Sequence, residues 1–460
     1  MRKYLSQFTF IISILVVFIA KQNIETSMVM KVEIVAREIV KPSSPTPNQF
    51  RIYKLCSRDQ YSPHHYIPGV FFYANPTRDV NHEELVSIRS QRLRETLSET
   101  LTRFYPLAGR LRDNLFIDCN DEGVDYLEAR VTHCRLSDIL EQPKAEQMYR
   151  LFEPDPEDFN KNPLLFVQLN FFPCGGMALC VRMSHKIADG VAYAAFVKAW
   201  SDIALGSSET IVPDFIAASS RFPPREDCPV LSMTFVQMTE KIVTNRFVID
   251  ASKVATLKAK ATSTGVQQPT RVEAVTAALL KCVVTASRSH ALELETNVSS
   301  QKAYALTGAV NIRTRLEPPL PKYSFGNITG LLWAMIEDGG AETDLPGLVC
   351  QLRKGVQQTT DNNFTAEKTK LLRLKGEAVK VYRHSSWCRF GLYELDFGWG
   401  TPTYTTAVLF GAPIGIGLLD TRDGDGIEVW MTLLKEDMAV FESDQELLAF
   451  ASPNPSAIEN

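Results

Sequence analysis

The 460 residues contain no CxxC pair, no run of twenty apolar residues, no G-x-S-x-G segment and no internal repeat. Each absence removes a class of protein. Nine cysteines is an odd number, and none stands at metal-ligand spacing. A disulfide framework and a structural metal site are therefore both disfavoured, and the cysteines read as reduced thiols of an intracellular protein. There is no basic excess: 49 Lys and Arg stand against 53 Asp and Glu, a formal charge of −4. Nucleic acid is not the expected partner, because a phosphate-binding surface shows as positive charge. Without a repeat of 20–50 residues, solenoids and propellers are excluded. Without G-x-S-x-G, the main serine-hydrolase signature is gone.

Three weaker signals fail on inspection. Gly411-Ala-Pro-Ile-Gly-Ile-Gly417 leads into a strand-like run and not a helix, so it is no dinucleotide loop. Asp420-Thr-Arg-Asp-Gly-Asp-Gly426 invites a calcium-loop reading, but placing Gly426 at loop position 6 puts Thr421 at position 1 and Thr432 at position 12. A hairpin turn between Ile414–Leu419 and Ile427–Leu433 fits better. His64-His65 has no Cys, Asp or Glu at metal spacing and is expected at the surface.

What remains is an ordinary globular composition, 45% hydrophobic and 22% charged, long enough for two or three domains with cores of their own. The N-terminus departs from it. Arg2 and Lys3 precede an apolar run, Phe8–Ala20, that is short of the roughly 20 residues a membrane span requires. No small-x-small cleavage site follows it. A signal peptide, a weak membrane anchor and an upstream start codon ahead of a body beginning near Met28 or Met30 all stay open. Three N-x-[ST] sequons, at Asn297, Asn327 and Asn363, are no more than chance supplies.

Along the body, Lys31–Val40 reads as a strand, and Asn81 caps a helix whose apolar face is Leu85, Ile88, Leu93, Leu97, Leu101 and Phe104. Leu164–Phe171 and Met177–Met183 flank the hairpin signal Pro173-Cys-Gly-Gly176. Val191–Trp200 reads as a helix, with Tyr193, Phe196 and Trp200 on its core face. Residues 206–230, rich in proline and lacking any sustained period, are the best boundary. Beyond it come a helix capped by Asp250 and ending near Gly265, and a second with the capping box Thr270-x-x-Glu273. The expected organisation is an extension over residues 1–27, a domain over 28–205, a crossover over 206–230 and a domain over 231–460.

The sharpest chemical signal is Ser184-His185-Lys186-Ile187-Ala188-Asp189-Gly190, where a strand ends, the chain turns and a helix begins. An imidazole there, with an ordinary pKa of about 6.5, suits general-base work. Asp189 would orient the turn through a hydrogen bond or ion pair. The alternative is a structural histidine, and by chance H-x-x-x-D occurs in roughly a third of such chains. The second landmark is Asp396-Phe-Gly-Trp-Gly400, closely preceded by Ser385-Ser-Trp387. Gly398 and Gly400 around Trp399 predict a tight loop with an aromatic plug. A buried Asp396 carboxylate paired with Arg313 or Arg315 is favoured over direct chemistry, because buried charges require partners.

Together these segments resemble the plant BAHD family of CoA-dependent acyltransferases, over about Lys31 to Met438. The likeness lies in His185-Lys-Ile-Ala-Asp189-Gly190, the intact Asp396-Phe-Gly-Trp-Gly400, Tyr105-Pro-Leu-Ala-Gly-Arg110, Asn311–Arg315 and Phe325-Gly-Asn327. It implies a mixed α/β, two-domain fold like chloramphenicol acetyltransferase, with a channel between the domains and His185 at its centre as general base. It implies no bound cofactor and no metal, with acyl-CoA, acetyl-CoA first, as co-substrate. By position Ser385 and Trp387 match residues lining the oxyanion and acceptor site, Asp189 holds the histidine loop, and Asp396 supports the second. Wording such as Ser-Trp-Cys-Arg-Phe-Gly is closest to the branch that acetylates alcohols of alkaloids and other bulky specialised metabolites. N-acylation of an amine and a non-catalytic member are the alternatives. The expected protein is a cytoplasmic monomer, with membrane association through residues 1–27 a lesser expectation.

Overall fold

The computed structural model describes residues 30–75, 82–154, 162–228, 242–293, 303–337, 344–359, 379–407 and 414–458. The run Phe8–Ala20, the cap Asn81 and the sequons at Asn297 and Asn363 lie outside them. Among the described residues no helix is long and apolar enough to cross a membrane.

Two sheets organise the chain. The first has six strands in the order Lys31–Val40, Val124–Thr132, Leu165–Phe171, Met177–Ser184, Tyr66–Tyr73 and Tyr404–Thr406. Its inner strands Tyr66–Tyr73, Leu165–Phe171 and Met177–Ser184 are buried at every position, as mainly apolar strands covered on both faces are, and the Gln168, Asn170 and Arg182 they carry are buried with them. The expected hairpin joins two of them, with Gly175 supplying the positive φ of its turn. Helices His82–Arg103 and Gly190–Ala204 pack together against this sheet. In the first, Leu93, Leu97, Leu101 and then Phe104 are fully buried. Ile88 is exposed instead, because it lies about 140° around the helix from Leu93. Tyr193, Phe196 and Trp200 of the second helix are core, as expected.

The second sheet has seven strands in the order Thr329–Glu337, Ala303–Asn311, Val379–Ser386, Gly415–Asp420, Ile427–Leu434, Ile242–Ile249 and Ser452–Pro453. Helices Ala251–Ala261, Arg271–Glu293, Leu345–Gln357 and Lys435–Ser443 share its own apolar cluster. The capping expectations hold: Asp250 accepts from Lys253 N–H at 2.9 Å, and Thr270 and Glu273 exchange hydrogen bonds of 2.7 and 3.1 Å. The Asp250-capped helix stops at Ala261, four residues before Gly265. Asp420–Gly426 is the expected hairpin turn, with the Asp423 carboxylate accepting from Asp425 and Gly426 N–H.

The two sheets are not divided by a single cut in the sequence. Tyr404–Thr406, from the far side of the expected boundary, pairs antiparallel with Val70–Phe72 at the edge of the first sheet. It is also tied to the second: the Tyr404 hydroxyl and the Trp430 indole N–H both donate to Glu428 Oε1 at 2.8 Å, while Arg246 Nε donates to Glu428 Oε2 at 2.6 Å. The stretch 206–228 is irregular apart from the short helix Ala217–Arg221. It crosses between the halves, and Ala218 and Phe222 form a small core with Cys56, Ile312, Leu316 and Ile328.

Candidate active site at the junction of the two halves

His185 is the first residue after the strand Met177–Ser184, and the turn that follows is pinned residue by residue. The Lys186 ammonium is buried and donates to the carbonyls of Gln60 and Ser62, each at 2.8 Å. Ile187 and Ala188 are fully buried. Asp189 is the N-cap of Gly190–Ala204, accepting from Ala192 N–H at 2.9 Å, the position where a short acidic side chain satisfies an otherwise orphaned helix donor.

The same carboxylate meets a guanidinium from the second half. Arg313 Nη1 donates to Asp189 Oδ2 at 2.7 Å and Nη2 to Oδ1 at 3.0 Å, both side chains being almost wholly buried. Ile328 N–H donates to Oδ2 at 3.0 Å, and the remaining Arg313 donors reach the carbonyls of Ser324 and Gly326 and the Asn311 amide oxygen. This corrects the expected pairing, since Arg313 belongs to Asp189 and not to Asp396. Arg315, two residues on, is exposed.

A second connection joins Asn327, which the sequence marked only as a sequon and as part of Phe325-Gly-Asn327, to Asp59, which sequence reasoning did not single out. Asn327 Nδ2 donates to the His185 carbonyl at 2.7 Å and to Asp59 Oδ1 at 2.9 Å, and Asn327 N–H donates to the same oxygen at 2.7 Å. Asp59 is fully buried, its other oxygen accepting from Cys56 N–H at 2.9 Å. Burial pushes its carboxyl up, and the Asn327 hydrogen bonds oppose that. The one local signal was Asp59 at the third position after Cys56, as in a capping box. Asn327 is buried, so its sequon is structural and not a surface acceptor.

The surface expectation for His64-His65 is also corrected. Both are half-buried. The His65 ring lies against the His185 ring, centroids 4.8 Å apart, and His185 N–H donates to the His65 carbonyl at 2.8 Å. Burial, with the nearby Lys186 charge, pushes His64 down to about 4. Burial alone does the same to His384, whose Nε2 meets Thr276 Oγ1 at 3.0 Å. The sign follows: unfolded imidazoles bind protons near 6.5 while these two stay neutral to about 4, so acid favours the unfolded chain. Urea midpoints should fall between pH 6.5 and 4, and a midpoint that is flat from pH 7 to 5 would contradict the assignment.

From the second half, Val379–Ser386 carries His384 toward the helix Arg271–Glu293, so strand alternation turns Ser385 to the opposite face. Trp387 follows, buried, edge-on to Tyr193 at 5.3 Å and beside Phe390 at 5.6 Å. Gly190 makes room for that group, since a Cβ there would stand 2.8 Å from the Phe390 ring. The structure thus brings Trp387 to the first turn of the helix that Asp189 caps.

Asp396 lies elsewhere. Its Oδ1 accepts from Gly398 N–H at 2.7 Å and Gly400 N–H at 3.0 Å, closing the loop on itself, and its carbonyl accepts from Ser201 Oγ at 2.9 Å. Trp399 packs on Tyr73, Phe397 and the Arg89 guanidinium. Gly398 has φ +102°, and a Cβ there would collide with Arg92 at 2.6 Å. Ser201 is eleven residues along the helix from Gly190, about 16 Å at 1.5 Å per residue, so the loop braces the far end of the helix from His185. Asp396→Ala should cost about 1–2 kcal/mol in urea denaturation, with Asn, which keeps the acceptor oxygen, recovering most of it. A kcat that collapses in a stably folded Asn variant would instead place Asp396 in the chemistry.

Comparison with known proteins agrees with this architecture. The model of the Transferase family matches residues 30–448. A limonoid 7-O-acetyltransferase of Citrus sinensis is 38% identical, the alignment covering 93% of this chain and 99% of that one. Akuammiline synthase 1 of Alstonia scholaris is 40% identical, over 91% of this chain and 97% of that one. The crystal structure of vinorine synthase superposes with a TM-score of 0.80 at 34% identity, covering 93% of this chain and all of that one. The fold is accordingly the two-domain, mixed α/β architecture like chloramphenicol acetyltransferase. The chain belongs to the Transferase family, the BAHD acyl-CoA-dependent acyltransferases.

Proposed function

We propose that this protein transfers an acetyl group from acetyl-CoA to a hydroxyl of a bulky plant specialised metabolite, of the alkaloid kind that the sequence resemblance implies or the limonoid kind that a relative's name describes, with His185 as general base. The observation that carries the reading is the division of labour in the histidine turn. Lys186 is committed to two carbonyls, Asp189 to Arg313 and two backbone N–H groups, and the His185 main chain to His65 and Asn327. These groups hold the turn, and the imidazole it carries stands where the two halves meet.

In the proposed reaction the acceptor O–H gives its proton to His185 as the oxygen attacks the thioester carbon. The tetrahedral oxyanion collapses, the C–S bond breaks, and the imidazolium returns the proton to the departing CoA sulfur. General-base assistance of this kind contributes typically 10²–10⁴-fold. We assign the oxyanion and acceptor side to Ser385 and the Trp387 indole, and a bracing role to Asp396, Gly398, Trp399 and Gly400. The halves 28–205 and 231–460 serve as the two lobes, joined by 206–230, with the segment through Tyr404–Thr406 seated on the first. A single chain builds the whole site, which suits a monomer, and nine free cysteines suit a reducing cytoplasm.

The test is release of free CoA from acetyl-CoA in the presence of a panel of alcohols and amines, with products identified by mass spectrometry. Ester formation is expected. Amide products alone would replace O-acylation by N-acylation, and no release above background with any acceptor would sink the enzymatic reading.

A further inference from the structure

Two histidines stand ring to ring at the proposed centre, and only one has a role in the reaction as written. The juxtaposition follows from strand register. Tyr66 pairs with Ser184, so His65 and His185 are the residues that meet where the two strands run out, and His185 N–H closes on the His65 carbonyl. With Asn327 holding the His185 carbonyl from the other half, the His185 main chain is fixed from both sides. Backbone restraint does not orient the ring, because the χ2 preference of an imidazole is broad. A base has to sit within about 2.6–3.2 Å of the proton it takes, so ring orientation is what the reaction depends on. Among the described residues the His65 imidazole lies against that ring, tilted at 54° with centroids 4.8 Å apart, a distance at which flat rings pack in contact.

We propose that His65 is a positioning residue for acyl transfer: its ring is the wall that sets the rotamer of His185. The proposal rests on the general-base reading of His185. A ring at 65 acts on the reaction through shape, so its loss leaves acetyl-CoA binding in place while the base is left free to swing out of line.

The experiment compares His65→Ala, His65→Phe and His185→Ala. Free CoA release is followed with the fastest alcohol of the panel, and with water as acceptor. His65→Ala should lower kcat by about 10- to 100-fold, the scale of losing one well-set reacting group, with the acetyl-CoA KM within about twofold of the wild type. His65→Phe, which keeps a flat ring, should restore kcat to within about threefold. The proposal is overturned if His65→Ala stays within about twofold of wild-type kcat, or if His65→Phe is as impaired as His65→Ala. Should His65→Ala fail to fold, His65→Leu against His65→Phe makes the same comparison of bulk with a flat ring. His185→Ala separates the two readings: an active variant removes the base assignment itself, whereas an inactive one beside a fully active His65→Ala removes only the role of His65.

Discussion

His185→Ala will lower kcat for acyl transfer by about 10²–10⁴-fold, the range that a positioned general base supplies, and will leave thermal stability close to that of the wild type. The second half of the expectation comes from what holds the turn. The His185 backbone N–H and carbonyl make the contacts to His65 and Asn327, and alanine keeps both. Lys186 remains anchored on Gln60 and Ser62, and Asp189 on Arg313. The half-buried ring can be removed without opening a fully enclosed cavity. Steady-state kinetics beside a melting curve checks both halves. A variant that keeps wild-type turnover would remove the base assignment, and one that loses its fold would show the ring to be structural.

The largest stability effect is expected at Arg313. Arg313→Met leaves the Asp189 carboxylate buried beside an apolar side chain with only Ala192 and Ile328 N–H for company, and it strips the Ser324 carbonyl of both its Arg313 donors. Breaking one partner of a buried ion pair typically costs about 3–5 kcal/mol. The double variant Asp189→Asn/Arg313→Met should recover part of that, because it removes the stranded charge. Urea denaturation of the two proteins measures it, and a loss of less than about 1 kcal/mol in Arg313→Met would contradict the buried-pair account. Activity should fall with stability here, since the pair joins the histidine turn to the other half.

Much of this was legible in the residues because it is local. Helix caps at Asp250 and Thr270, the apolar row of Leu93, Leu97 and Leu101, the hairpins around Gly175 and Asp423 and the strand-turn-helix at His185 are each written within a few positions. Those positions interact through one or two turns of backbone. The partners of the polar groups were not legible, because they are chosen across the chain. Asp59 meets Asn327 from 268 positions away, a pairing no short window contains. Arg313 had two acidic landmarks to choose between, and the chain's path after Ala303–Asn311 delivers it to Asp189. His64-His65 carries no local sign of burial, and it is the register of Tyr66 with Ser184 that sets His65 against His185. The Asp396 loop satisfies itself through its own glycine N–H groups, so no distant arginine had to exist.

The small strand Tyr404–Thr406 also bears on how the molecule is made. Its partner Tyr66–Tyr73 leaves the ribosome more than three hundred residues earlier, and it is apolar and buried at every position in the finished protein. Through most of synthesis, then, the nascent first lobe carries a bare hydrophobic edge, the kind of strand that pairs with the wrong chain. Truncating the gene anywhere before residue 404 would leave that edge uncovered for good. The two lobes are in this sense a single folding unit, finished only when the last tenth or so of the polypeptide arrives.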